Sequence, residues 1–317
     1  MRIIWASLIA FLVHSSVQAA DKIRIGFPDL AASFLSLPLG QKKGFFQEEG
    51  LQAEFIRINP TIALAALGSG EMDYYTVIGP AVAAAIRGLP VKVVACYMPR
   101  APIALIARPE FKSVQELRGK TIGLNILGGA LEVTARLIFK HFGLDPDKEI
   151  KFLANGPLEA RFAAVSKGLT AATLGSPPTD FLGKKMGFVV LARAHELFSY
   201  PVSGLVANVK KIKEKPDEMK RAIKAGIKAN GYIRQNRDGT IPIMVEWLKI
   251  DKEMATATYE SVVNVFNDDG GLPENGIRLL IEEGKRQAKV EREVSAGEVA
   301  DLSVLKEAQK ELGIRER

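Results

Sequence analysis

An internal echo restricts the fold of this chain more than any other feature. Ala63-Leu64-Ala65-Ala66-Leu67-Gly68-Ser69-Gly70, then Tyr74 to Pro80, then Val91 to Ala95, return about a hundred residues later. The second pass reads Arg161-Phe162-Ala163-Ala164-Val165-Ser166-Lys167-Gly168, then Ala171 to Pro178, then Val189 to Ala192. Pro80 lies ten residues after Gly70, and Pro178 lies ten after Gly168. Two similar α/β units imply two lobes of like architecture. A cleft between such lobes is a common place for a small molecule. Chance similarity between two ordinary βαβ units is the alternative at this point.

The N-terminus reads as an export leader. Met1-Arg2 is a short basic start, Ile3 to Val13 is apolar apart from Ser7, and Val17-Gln18-Ala19 supplies small residues for cleavage. Cleavage is expected next to Ala20, with residues 1–20 as a signal peptide. The apolar stretch is too short for an ordinary membrane span. Cys96 is the one cysteine and cannot pair within the chain. Export without disulfides points to a bacterial periplasm. Cys96 lies in an apolar run and reads as a buried spacer. The net charge of +7 is spread among acids, which argues against a nucleic-acid partner.

Strand and helix alternate along the chain. Ile23 to Phe27, Ala53 to Ile58, Tyr74 to Ile78 and Val91 to Ala95 read as strands of a first, largely parallel sheet. Thr61 reads as the cap of the alanine-rich helix that ends at Leu67, and Gly79-Pro80 as a turn. Ser113 and Glu116 form a capping-box pattern. A second unit runs from about Ile103 to Ala194, and Gly204 to Asn208 returns to the first sheet. From Pro216 onward the pattern is helical, with Thr240–Ile250, Asp251–Phe266, Glu274–Val290 and Glu298–Leu312 as helices packed on the first lobe. Trp247 reads as core. The fold class is α/β, with two Rossmann-like lobes joined by two hinge crossings, near Tyr97 to Ile103 and near Ser199 to Gly204. Residues 21–100 and 201–317 form lobe 1, and 101–200 form lobe 2.

Four runs carry a family resemblance: Ile23-Arg24-Ile25-Gly26, Gly44-Phe45-Phe46-Gln47-Glu48-Glu49-Gly50-Leu51, Ala65-Ala66-Leu67-Gly68-Ser69-Gly70-Glu71-Met72-Asp73 and Leu117-Arg118-Gly119-Lys120-Thr121-Ile122-Gly123. In these the chain resembles the substrate-binding proteins of bacterial ABC importers of the nitrate, sulfonate and taurine type. That group also includes receptors for thiamine precursors and has a relative in a fungal pyrimidine-synthesis enzyme. The resemblance implies a periplasmic-binding-protein type II fold. It also implies delivery of a captured solute to a membrane permease with its ATPase, by a protein expected to be monomeric.

Ligands of open α/β sheets sit outside the carboxyl ends of the strands. That rule, and the resemblance, select the same loops. In the first lobe they hold Ser33, Phe34, Thr61, Ile78, Gly79 and Pro80. Phe34 suits either a ligand-covering aromatic or a core position. In the second lobe Asn125, Gly128, Gly129 and Ala130 open a helix whose free N–H groups favour an anion or a carbonyl oxygen. Ser176 offers a hydroxyl, and Tyr97 and Tyr200 lie at the crossings. Arg100 is a basic residue close to a crossing, and no side chain stands out as an obligatory charge partner. These groups suit a small organic solute with a polar, anionic head such as a sulfonate or carboxylate. A neutral aromatic solute stays open.

No cofactor and no metal is expected, because His14, His141 and His195 form no ligand spacing and no catalytic frame. An enzyme is therefore not expected. A ligand-sensing module for a signalling partner is the stronger alternative, and a pyrimidine- or thiamine-precursor enzyme the weaker.

Overall fold

A computed structural model describes residues 20–127 and 129–315. The leader expected over residues 1–20 lies outside them except for Ala20, as does Gly128. Strand β1 (Asp21–Phe27) buries Ile23 and Ile25 and exposes Lys22 and Arg24, the period of a strand with one covered face. A short 3-10 turn (Ala32–Phe34) leads into helices α1 (Ser36–Lys42) and α2 (Phe45–Glu48), then strand β2 (Leu51–Arg57). Next come α3 (Pro60–Ser69), β3 (Tyr74–Val77), α4 (Ile78–Ile86) and β4 (Val91–Met98).

Two expectations change here. Asn59, not Thr61, caps α3: its side chain accepts the Thr61 N–H at 2.9 Å, and Pro60 takes the first helical position. That is where a missing N–H costs nothing. Helix α4 starts at Ile78, so Gly79 and Pro80 form its first turn and no separate turn precedes it. First-turn N–H groups have no partner within the helix, and proline is tolerated there.

The second unit contains β5 (Ala104–Ala107), β6 (Thr121–Leu124), α5 (Ala130–His141) and β7 (Lys151–Ala154). It continues with α6 (Leu158–Ser166), β8 (Ala172–Gly175), α7 (Thr179–Lys185), β9 (Val189–Arg193) and α8 (Ala194–Leu197). The expected capping box gives only a 3-10 turn, Gln115–Leu117, with Glu116 accepting the Lys112 N–H at 2.8 Å. The chain then returns through β10 (Ser203–Asn208) and α9 (Val209–Glu214). Helices α10 (Pro216–Gln235), α11 (Arg237–Leu248), α12 (Lys252–Val262), α13 (Glu274–Ala288), α14 (Ala296–Val299) and α15 (Ser303–Glu311) complete it. The helix expected from Glu298 is therefore two, interrupted where Ala300 bridges Val93 of β4.

Two five-stranded sheets result, in the orders β2-β1-β3-β10-β4 and β7-β6-β8-β5-β9. Both are mixed, because each crossing delivers its strand reversed: β10 runs antiparallel to β3 and β4, and β5 antiparallel to β8 and β9. The frames repeat in detail. Thr76 Oγ1 donates to the Gly26 carbonyl at 3.0 Å, and Thr173 Oγ1 donates to the Gly123 carbonyl at 2.9 Å, each across 50 residues of chain. The C-terminal helices pack mainly on the first lobe, α10 against α1 and β4 and α13 against α4, while α12 also touches α7 of the second. The two crossings bond to each other, Val202 N–H to the Met98 carbonyl at 2.9 Å and the Ser199 hydroxyl to the Pro99 carbonyl at 2.8 Å. No helix among the described residues is long and apolar enough to cross a membrane.

Candidate functional site

Strand direction decides where a site lies. β8 and β9 are both antiparallel to β5, so β6, β7, β8 and β9 end on one side of their sheet. β1, β2, β3 and β4 end together in the other sheet by the same reasoning. One crossing leaves from the end of β4, and the other follows β9 through α8. The two sets of carboxyl ends therefore share one interlobe face. A cavity of about 480 Å³ lies to one side, between α7 and α8 of the second lobe and α12. Asp180, Arg193, His195 and Glu196 line it from the second lobe, and Glu260 and Asn264 from the first.

Its polar groups are ordered. Arg193 Nη1 meets Asp180 Oδ2 at 2.6 Å, while Asp180 Oδ1 and His195 Nδ1 are buried without a partner. Burial lowers the His195 pKa from its ordinary value; Arg193 and Arg100 lower it further, and the neighbouring Glu196 opposes them. Arg100 is not simply solvated. It donates to the His195 carbonyl at 3.4 Å and to the Asn264 carbonyl at 3.0 Å, tying the crossing to both lobes.

The sequence-selected residues fall into two groups. Gly79 and Tyr200 come together, with the Tyr200 hydroxyl 3.3 Å from where a β-carbon on Gly79 would stand. Thr61, Asn125 and Ala130 are exposed, and Pro80, Gly129 and Ser176 are half-buried, all in loops or first helical turns at the carboxyl ends. Ser33 is buried; its carbonyl accepts the Ser203 hydroxyl at 2.6 Å and so anchors the loop after β1. Three others are core. Phe34 packs with Phe27, Leu37 and Tyr97, and Ile78 is fully buried. Tyr97 turns its ring into α10, where Gly226 leaves the space: a β-carbon there would come within 2.1 Å of the ring. The Trp247 side chain, expected as core, is half-buried over the β1 loop, its ring 5.1 Å from Phe27 and its Nε1–H on the Ala31 carbonyl at 3.0 Å. Cys96 is fully buried, and that burial pushes its thiol pKa up, as a spacer requires.

Sequence reasoning passed over Asn155, Arg161, Asp180 and Arg193. Asn155 follows β7, and both atoms of its amide are buried without a partner. Arg161 lies in the first turn of α6, is 7% exposed, and donates to the Leu174 carbonyl and, at 3.4 Å, to Thr173 Oγ1. One signal was present: Arg161 stands where the first pass of the repeat has Ala63. On the first lobe, the Tyr75 hydroxyl is likewise buried and unpartnered, and burial together with the Asp29 carboxylate pushes its pKa up.

Several known proteins of the same shape are binding proteins by name. The family model described as NMT1/THI5 like matches residues 32–239. A provisionally named binding protein of Brucella abortus (strain 2308) is 28% identical over 255 residues, 78% of each chain. The periplasmic aliphatic sulphonate binding protein SsuA from Escherichia coli superposes with a TM-score of 0.73 at 15% identity, covering 89% of this chain and 92% of its own. The periplasmic nitrate-binding protein NrtA from Synechocystis superposes at 0.71 and 14% identity, covering 92% and 89%.

Proposed function

The chain belongs to the NMT1/THI5-like family, and we propose that within it this protein is the solute receptor of an ABC importer. It is exported to the periplasm as residues 21–317, in two lobes, 21–100 with 201–317 and 101–200. It captures a small organic anion between them and hands it to the permease and ATPase. It binds its solute and does not convert it. The strand directions that bring the carboxyl ends of both sheets to one interlobe face carry this reading. A site divided between two bodies joined by two strands couples occupancy to closure, because ligand contacts on both sides form together only when the lobes approach. The sulphonate- and nitrate-binding neighbours support an oxyanion as the bound group. Ser176, Asn125 and the start of α5 offer it polar contacts, while Gly79, Pro80 and Tyr200 offer apolar surface.

Small-angle scattering of the purified protein, titrated with alkyl sulfonates and carboxylates, tests this. The expected result is a smaller radius of gyration for at least one of them, with a matching rise in Tm. Stabilisation only by sugars or metal ions would remove the organic anion, and no compaction with any stabilising solute would remove hinged capture.

A further inference from the structure

His195 sits where the hinge is tied. It lies in α8, between the end of β9 and the second crossing. Its backbone carbonyl accepts from Arg100 of the first crossing at 3.4 Å. The same guanidinium donates at 3.0 Å to the carbonyl of Asn264, just after α12. One side chain thus clasps the first crossing, the approach to the second, and the helices packed on the first lobe. Lys185 of α7 and Glu253 of α12 meet at 2.9 Å along the same seam. Both are more than half exposed, so that pair alone holds little.

The imidazole is built into this clasp as a neutral group. Its side chain is 16% exposed, and Nδ1 is buried without a partner. Burial holds its pKa below the ordinary value; Arg193 of β9 and Arg100 add to that, and Glu196 and Asp180 oppose it. Glu196 Oε1 is 3.9 Å from Nε2, too far for a hydrogen bond. Asp180 of α7 gives Oδ2 to Arg193 and leaves Oδ1 unpartnered. The other charges around the cavity are Lys184, exposed on α7, and Glu260 of α12, which Arg237 holds at 3.2 Å. Helix α5 also packs on α8, and its Glu132 is held by Arg136 at 2.7 Å. The cavity of about 480 Å³ beside the ring leaves it room to move.

We propose that protonation of His195 releases the Arg100 clasp, so that acid lets the lobes move apart. The two guanidiniums repel the imidazolium, while Asp180 Oδ1 and Glu196 attract it. It turns into the cavity and takes the start of α8, with the His195 carbonyl, away from Arg100. The clasped state holds the neutral ring; in the released state the ring is hydrated and its pKa returns toward about 6.5. Below that pH the released state binds more protons, and each pH unit between the two pKa values is worth about tenfold in the equilibrium. Faster loss of solute in acid is the consequence for a receptor and rests on that reading; the switch itself does not.

The test follows the lobes and the ring separately, on the mature protein without solute. Spin labels at K148C and K210C, exposed positions on the two lobes, report the separation. Cys96 is fully buried and takes no label. From about pH 7.5 to about pH 5 the distance should lengthen. Its midpoint should match the His195 imidazole titration read by NMR. H195Q should keep the neutral-pH distance throughout. No lengthening in the wild-type background overturns the proposal, and that result needs no His195 variant to fold. A midpoint that departs from the His195 titration, or lengthening that persists in a folded H195Q, also overturns it. Compaction by an alkyl sulfonate without an acid response would keep the receptor and remove the switch; an acid response without compaction by any solute would keep the switch and remove hinged capture.

Discussion

The two lobes share a frame and differ in what they put at the end of it. Each has a threonine, on β3 or β8, bonded to a glycine carbonyl on the parallel strand beside it, β1 or β6. Each has a helix that starts at an equivalent point of the repeat, Pro60 in one and Leu158 in the other. Near the carboxyl ends the first lobe buries Ala63, Ile78 and the Tyr75 ring, where the second holds Arg161, Asn155 and the Asp180–Arg193 pair. The hydrogen-bonded frame is what the two copies hold in common. The chemistry is what separates them.

That contrast breaks most sharply if the chemistry is transplanted. Ala63→Arg places the second lobe's cation in the first, with no cluster to receive it. It should cost more than about 3 kcal/mol or prevent folding, read as the urea midpoint. Arg161→Ala should cost less than that, and a larger loss would show that the arginine is structural. The shared frame makes the next prediction. Thr76→Val and Thr173→Val each strand a buried glycine carbonyl and should each cost about 1–3 kcal/mol. Hydrogen exchange should rise in the first sheet alone for one and in the second alone for the other. Loosening of both sheets by either variant would mean that the lobes are not independent units.

The smallest effect is a pH slope confined to the second lobe. The His195 pKa is lowered in the folded protein, so the unfolded chain binds more protons just below its ordinary value of about 6.5. Its contribution is intact above that pH and is lost as pH falls through the window beneath it. Tm should drop there with a shallow slope, and His195→Gln should flatten it. A slope unchanged by that substitution would assign the effect elsewhere.

Much of the frame is legible in the sequence, because it rests on local pattern. The repeat marks both lobes, the crossings and the return of β10. The misread positions are those that distant chain decides. Tyr97 looks open at the end of a strand, yet it is covered by Gly226 of α10, more than a hundred residues away. Gly79-Pro80 reads as a turn until β3 runs directly into a helix. Arg161 looks like an ordinary polar helix residue, and only the packed sheet shows that it is buried. Strand direction picks the loops, but burial within them follows from tertiary packing.

The place of β10 has a consequence for how the molecule is assembled. All five strands of the second sheet come from one uninterrupted stretch, Ala104 to Arg193, whereas the first sheet waits for β10 to enter between β3 and β4. A nascent chain that stops short of Ser203 has a complete second sheet and a first sheet split down its middle, with the facing edges of β3 and β4 unpaired. Such edges are sticky, and contacts between distant parts of the chain form late. The last-arriving strand is therefore the keystone: until it is in place, half of the protein cannot set.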